Sequence, residues 1–231
     1  MMPGSELDDL MDRIGRKYDV EAVPLRIGDR TLKILQLKDF EAYLEELIEG
    51  KGAGIGDLPY WAKVWDASIL LAYFLGRQPV AVGRQILEIG AGIGVVGIYA
   101  ALCGHRVTIS DIDDDALLFA RANVLLNDLT GVEVKKIDWN TPELGRSYDV
   151  IAGSEVVYQR ETYPALVNFL RRALAPEGMI FLAKNAGLNT PKFFEELTRY
   201  FELKQTIQNI RSEGEDQRIA LYAIRRKGAG R

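Results

Sequence analysis

The sequence predicts an α/β fold: a doubly wound sheet of seven strands, mostly parallel, closed by an antiparallel C-terminal hairpin and covered by helices on both faces. Three observations predict it. From Gln85 onward, short apolar runs alternate with segments of helical periodicity, the pattern of a parallel sheet buried on both sides. The first run ends in Gly90-Ala91-Gly92-Ile93-Gly94, where a strand must bend sharply into a helix. The last two runs are longer and flank the turn-rich Ser212–Asp216, the signature of a hairpin.

The elements follow in order. Val20–Ile27 and Thr31–Leu35 read as a hairpin about Gly28–Asp29, Asp39–Ile48 as a helix, Gly50–Gly56 as a mobile glycine-rich stretch, and Asp66–Leu75 as an apolar helix. Residues 1–80 are therefore expected to form an extension packed on a core domain of residues 81–231. In the core, Gln85–Ile89 is the first strand and Gly94–Leu102 the helix that packs on it. Arg106–Ser110 is the second strand, and Asp114 to Leu126 a helix with Leu117, Ala120 and Val124 on one face. Val132–Ile137, Asp149–Gly153 and Met179–Ala183 supply three more strands, with a helix at Tyr163–Leu174. Pro191 opens a further helix to Tyr200, proline being favoured in a first turn. Glu202–Arg211 and Gln217–Arg225 complete the sheet.

Composition narrows the function classes. Of 231 residues, 48% are hydrophobic and 27% charged, with a formal net charge of -4, which suits a globular protein and gives no long basic block for tracking phosphates. No nucleic-acid partner is expected. No apolar run approaches the ~18 residues that span a bilayer, and the N-terminus lacks the regions of a secretory signal, so a cytoplasmic location is expected. The one cysteine, Cys103, reads as a buried inert thiol, and the one histidine, His105, as structural. Together they provide no metal site. The basic run Arg225 to Arg231 reads as a solvated end.

The glycine turn carries the chemistry. Glycines tolerate positive φ and let the backbone approach a ligand, and the following helix start offers free N–H groups to a pyrophosphate or a carboxylate. The spacing is G-x-G-x-G, not the G-x-G-x-x-G of dinucleotide enzymes. Glu88 precedes the turn. Asp111 closes the second strand about 20 residues on, where a carboxylate can accept from ribose hydroxyls. Asp113, Asp114 and Asp115 read instead as a solvated helix start.

Four segments together resemble methyltransferase family 16, the seven-strand protein-lysine methyltransferases. They are Val64-Trp65-Asp66-Ala67-Ser68; Leu87 to Gly94, continuing through Val95-Val96-Gly97-Ile98; Asp138-Trp139; and Gly153-Ser154-Glu155-Val156-Val157-Tyr158. The resemblance spans Tyr60 to Leu174. It implies a Rossmann-like fold, S-adenosyl-L-methionine as cofactor, and a cofactor site drawn from Trp65, Gly90, Gly92, Asp111, Trp139 and Ser154, to which the reading of the turn adds Glu88 and Ala91. Trp139 offers an indole face to adenine. Glu155 and Tyr158 are the expected catalytic pair, Glu155 orienting and helping to deprotonate an incoming ammonium and Tyr158 walling the same channel. The family carries Asp more often than Glu at the position of Glu155. The implied acceptor is a lysine of a protein substrate. A small-molecule amine would use the same cofactor site, and a non-catalytic binding module is the remaining alternative. The Asn-Pro-Pro-aromatic motif of base methylation does not follow the fourth strand, where Ser154-Glu155-Val156-Val157-Tyr158 stands.

Overall fold

The computed structural model describes residues 3–50, 54, 58–212 and 215–228. Most of the glycine-rich stretch 50–56 therefore lies outside the described residues. The chain opens with a helix the sequence reading did not contain, α1 (Pro3–Gly15). Its warrant is visible in retrospect: Leu7, Leu10, Met11 and Ile14 recur at helical spacing, and Leu10 and Ile14 are buried. Burying two such side chains favours folding by roughly 1.5–3 kcal/mol each. The helix packs on the later helix Asp114–Leu126, with the Arg121 guanidinium donating to both Glu6 oxygens at 2.7 and 3.0 Å.

The expected hairpin is β1 (Val20–Ile27) and β2 (Arg30–Leu37), an antiparallel two-stranded sheet of its own. It turns on Gly28 at φ +60°, with the Tyr73 ring at 2.9 Å from where a Cβ would stand. Next comes α2 (Phe40–Glu45), capped by Asp39, whose side chain accepts from the Ala42 N–H. One wide helical turn at Glu46–Gly50 extends it. After a single 3-10 turn at Tyr60–Ala62 comes α3 (Asp66–Gly76).

The core sheet has seven strands: β3 (Gln85–Ile89), β4 (Arg106–Asp111), β5 (Glu133–Lys136), β6 (Tyr148–Ser154), β7 (Leu174–Asn185), β8 (Phe201–Ser212) and β9 (Glu215–Arg226). Their order is β5-β4-β3-β6-β7-β9-β8. The first five run parallel, and β9 pairs antiparallel with both β7 and β8. The predicted fold class and hairpin are both present. Helices α4 (Val95–Leu102), α5 (Asp114–Leu126), α6 (Tyr163–Ala173) and α7 (Pro191–Leu197) complete the layers. Alternate strand residues divide between two apolar clusters. Ile86, Val107, Ile109, Val150 and Ala152 join α3, α4, α5 and the N-terminal hairpin, while Leu87, Ile89, Ile151, Ile180 and Leu182 join α6 and α7.

Most bounds differ from the sequence reading by a residue or two, and two larger shifts have a visible local cause. Strand β7 begins at Leu174, not Met179, because Leu174 pairs with Tyr148 before Pro176-Glu177-Gly178 bulges out and Met179 re-engages at Val150. Helix α7 stops at Leu197, where Thr198 turns its hydroxyl back onto the Phe194 and Glu195 carbonyls.

Fully buried Asn123 on α5 sews the N-terminal hairpin to the sheet. Its Oδ1 accepts from the Leu35 N–H at 2.6 Å, and its Nδ2 donates to the carbonyls of Leu35 (3.3 Å) and Ile93 (3.0 Å). A single side chain thus connects the extension, α5 and the glycine turn.

Candidate active site

The chain leaves β3 for β4 on one side and later returns to β6 on the other. That reversal opens a crevice outside the carboxyl ends of the strands, the usual ligand site of such sheets. A cavity of about 940 Å³ occupies it, at the upper end of the ~300–1,000 Å³ typical of small-molecule sites. Its wall contains all ten sequence-predicted site residues: Trp65, Glu88, Gly90, Ala91, Gly92, Asp111, Trp139, Ser154, Glu155 and Tyr158.

Gly90, Gly92 and Gly94 have φ of +54°, +53° and +86°, a region that L side chains rarely adopt. Each also has a close neighbour. A Cβ on Gly90 would stand 2.7 Å from a Val156 methyl, and one on Gly92 would stand 2.6 Å from the Trp61 carbonyl oxygen. The turn is therefore shaped by protein contacts as well as by any ligand, and the N-terminal segment presses its backbone onto it.

Glu88 reaches the cavity wall, but its carboxylate faces the helix. Its Oε2 accepts from the Gly97 N–H at 2.8 Å. The α4 N-cap is Gly94, with no side chain to cap the first turn, so Glu88 takes that part. One of the N–H groups that this helix start was expected to leave free is thus taken by Glu88. Burial pushes the Glu88 carboxyl up to about 8, against the lowering pull of the Gly97 and Val96 N–H groups.

Asp111 is similarly engaged. Its Oδ2 accepts from the Gly92 N–H at 2.8 Å and its Oδ1 from the N–H groups of Ile112 (2.7 Å) and Asp113 (3.0 Å). Burial raises its pKa, opposed by these three donors. A carboxylate has about four acceptor positions, so little more than one is left for a ligand. Asp113 caps α5 through the N–H groups of Asp115 and Ala116. Asp115 is less solvated than its place in an acidic run suggested: it accepts from Lys17 Nζ and the Tyr18 hydroxyl, both at 2.8 Å.

Trp139 stands 6.4 Å from Phe169, ring to ring, and its edge lies 3.7 Å from a Cβ built on Gly90. Asp138 folds the same loop by accepting from the Asn140 N–H at 2.8 Å, which draws its pKa down. At the end of β6, the Ser154 Oγ is buried and has no hydrogen-bond partner among the described residues. An orphaned hydroxyl in a ligand cavity is a polar group waiting for one.

Glu155 follows at φ +53°, a costly conformation for a residue with a side chain. Its N–H donates to the Ala183 carbonyl at 2.9 Å, and its Oε1 accepts from the Asn185 N–H at 2.6 Å. Burial raises its pKa, with the Asn185 bond and the nearby Lys184 charge opposing. Beside it, the exposed Tyr158 ring meets Tyr60 edge-on at 6.0 Å, and Tyr60 lies 6.3 Å from Trp65. The Trp65 indole N–H donates to the Tyr60 carbonyl at 2.9 Å. Aromatic rings and one carboxylate thus frame this end of the cavity.

Sequence reasoning missed Tyr18, Tyr43, Trp61, Ile112 and Ile137, which also line it. Only Ile112 carried a readable signal, as an apolar residue directly after the ribose-type carboxylate; it is 55% exposed. The others reach the site through tertiary packing: Tyr18 touches Tyr43, Trp61 and Phe119 ring to ring.

A sheet in this order, with a glycine turn and an acidic strand end at its switch point, has the architecture of the class of S-adenosylmethionine-dependent methyltransferases. One solved structure of that fold, the glycopeptide N-methyltransferase MtfA with S-adenosyl-L-homocysteine, superposes with a TM-score of 0.57 at 16% identity, covering 71% of this chain and 90% of that one. The chain belongs to the lysine methyltransferase family, whose model matches residues 47–200. It is 36% identical over 155 residues to the protein N-lysine methyltransferase METTL21A of Danio rerio, covering 62% of this chain and 70% of that one. It is 33% identical over 174 residues to EEF1A lysine methyltransferase 3 of Mus musculus, covering 72% of each. The protein is thus an S-adenosylmethionine-dependent methyltransferase.

Proposed function

We propose that this enzyme methylates the side-chain amine of a lysine in a protein substrate. The observation that carries the reading is Glu155, a carboxylate held in a strained backbone conformation at the cavity wall and framed by Tyr60, Trp65 and Tyr158. Strain of this kind persists where the surroundings enforce it and concentrates at functional sites.

The cofactor end would be held by the groups around the turn. Asp111 has an acceptor position left for a ribose hydroxyl, fewer than the pair of bonds its type can offer. Trp139, Ile112 and Ile137 supply apolar faces suited to adenine. The unpartnered Ser154 hydroxyl and the backbone of Gly90 to Gly92 suit the methionine end. Glu88 serves indirectly, by fixing the start of α4.

S-adenosylmethionine supplies a methyl group on a positively charged sulfur. The protein's work is then alignment, exclusion of water and delivery of a neutral amine. A free lysine has a pKa of about 10.4. Aromatic walls desolvate its ammonium and favour proton loss. Glu155, its own pKa raised by burial, is a stronger proton acceptor than a solvated carboxylate and can orient the ammonium as it enters. The faces of Tyr158 and Trp65 add attraction for the cation. Residues up to about 80 form the remaining wall through Tyr18, Tyr43 and Tyr60, which supports a role for this extension in choosing the acceptor. A cytoplasmic setting and a partner other than nucleic acid belong to the same proposal, supported by a composition with one cysteine and a net charge of -4.

The test is transfer of labelled methyl from S-adenosylmethionine into a lysate of the source cells, with hydrolysis of the labelled protein to amino acids. Methyl-lysine in a discrete protein, lost with Glu155→Ala, is the expected result. Label confined to the small-molecule fraction, or recovered on another amino acid, would overturn the lysine reading.

A further inference from the structure

Lys184, near the carboxyl end of β7, is the one lysine among the described residues that is buried, at 3% exposure. Its ammonium is held by carbonyls: Nζ donates to Asn185 O at 2.8 Å and also to Leu188 O. Burying an ammonium is costly, and a methionine would fill similar space without that cost. The loop it gathers bears directly on the site. Asn185 presents its N–H to the Glu155 carboxylate, and its side chain accepts from the Gly187 N–H at 2.8 Å. Leu188 stands between the main cavity and a smaller hollow lined by Lys184, Thr190, Phe194 and Tyr222.

We propose that Lys184 is a positioning residue for the acceptor end of the cavity. By drawing in the carbonyls of Asn185 and Leu188, its buried ammonium folds the loop after β7 so that the Asn185 N–H meets Glu155 and Leu188 forms part of the wall. Its consequence for catalysis rests on the lysine-methylation reading; its effect on Glu155 does not, so the two can fail separately.

Burial lowers the pKa of Lys184, and the Glu155 charge raises it back. Lys184 from β7 is the charged group that acts on Glu155 directly; Tyr158 from its own loop, and Tyr60, Lys63, Glu88, Asp111, Asp113, Asp115 and Asp138 from the other elements, line the same cavity. Removing the ammonium takes from Glu155 both a nearby positive charge and its ordered donor. Each loss favours the protonated acid.

The experiment is a side-chain carboxyl titration by NMR on 13C-glutamate-labelled full-length protein, with E155Q identifying the Glu155 resonance. In K184M the Glu155 midpoint should rise by on the order of one pH unit, while calorimetry gives an S-adenosylhomocysteine affinity within twofold of wild type. K184R, which keeps charge and donors, should restore the wild-type midpoint. Should K184M fail to fold, K184Q carries the same expectation, since it keeps a donor, one bond nearer the backbone, but no charge. In labelled-methyl assays, the acid limb of the rate profile should move with the midpoint. A Glu155 midpoint unchanged in a folded, uncharged variant would overturn the proposal, as would an equal loss of rate at every pH.

Discussion

The two ends of the cavity are built in opposite ways. The end proposed for the cofactor is local: a strand, a turn and a helix start, with Glu88 and Asp111 spending their carboxylates on backbone N–H groups of the same βα unit and its neighbour. The end proposed for the acceptor is assembled from distant segments: Tyr60 and Trp65 before the sheet begins, Glu155 and Tyr158 after β6, and Leu188 beyond the end of β7, with Lys184 behind it. Order at the first end comes from backbone geometry, and order at the second from side chains meeting across the sheet. Damage at the second should therefore cost turnover and spare cofactor affinity. Damage to the packing beneath the first should cost stability as well.

The largest effect expected is on rate. Glu155→Ala should lower turnover by about 10²–10⁴-fold, the usual worth of a positioned acid–base group, with cofactor affinity within twofold by calorimetry. Next comes Asn123→Ala, which leaves the buried N–H and C=O of Leu35 and the Ile93 carbonyl without their partner. A loss of about 3 kcal/mol in denaturant unfolding is expected, since each orphaned buried group costs ~1–3 kcal/mol. A loss below 1 kcal/mol would mean that the extension is not anchored through this residue.

Gly92→Ala combines a positive φ with a Cβ 2.6 Å from the Trp61 carbonyl oxygen. Roughly 1–3 kcal/mol of destabilisation follows from such strain, together with weaker cofactor binding as the turn shifts. Stability lost with no change in affinity would show that the turn and the ligand site are separable. A further effect concerns pH. The folded-state pKa of Glu88, about 8, lies above the unfolded value near 4.5. The stability it contributes is therefore full below about pH 4.5 and lost as pH rises through about 8. Glu88→Gln should flatten this slope in melting temperatures measured from pH 5 to pH 8; an unchanged slope would assign it to another group.

Much of the local end was legible in the sequence. The strand–turn–helix pattern and the hairpin could be read because each depends on spacing within one short segment, whereas most of the ten positions now found on the cavity wall came from the family resemblance. Function at those positions was less legible than place. Glu88 and Asp111 were read as facing a ligand, yet backbone donors claim most of their capacity, because a buried carboxylate must find partners before any ligand arrives. Helix α1 was not predicted, although its Leu7, Leu10, Met11 and Ile14 stripe was present. Asn123 and Lys184 gave no signal at all. An asparagine in a helix and a lysine near a strand end are ordinary in sequence, and their importance appears only when 88 positions of chain separation close between Asn123 and Leu35, or when a loop wraps an ammonium.

The most direct test of this division is to measure S-adenosylmethionine affinity and labelled-methyl transfer side by side for Asp111→Ala and Glu155→Ala. Asp111→Ala should weaken cofactor binding by at least tenfold, whereas Glu155→Ala should bind like wild type and transfer almost no methyl group. Equal loss of cofactor affinity in both variants, or near-normal transfer by Glu155→Ala, would contradict that division.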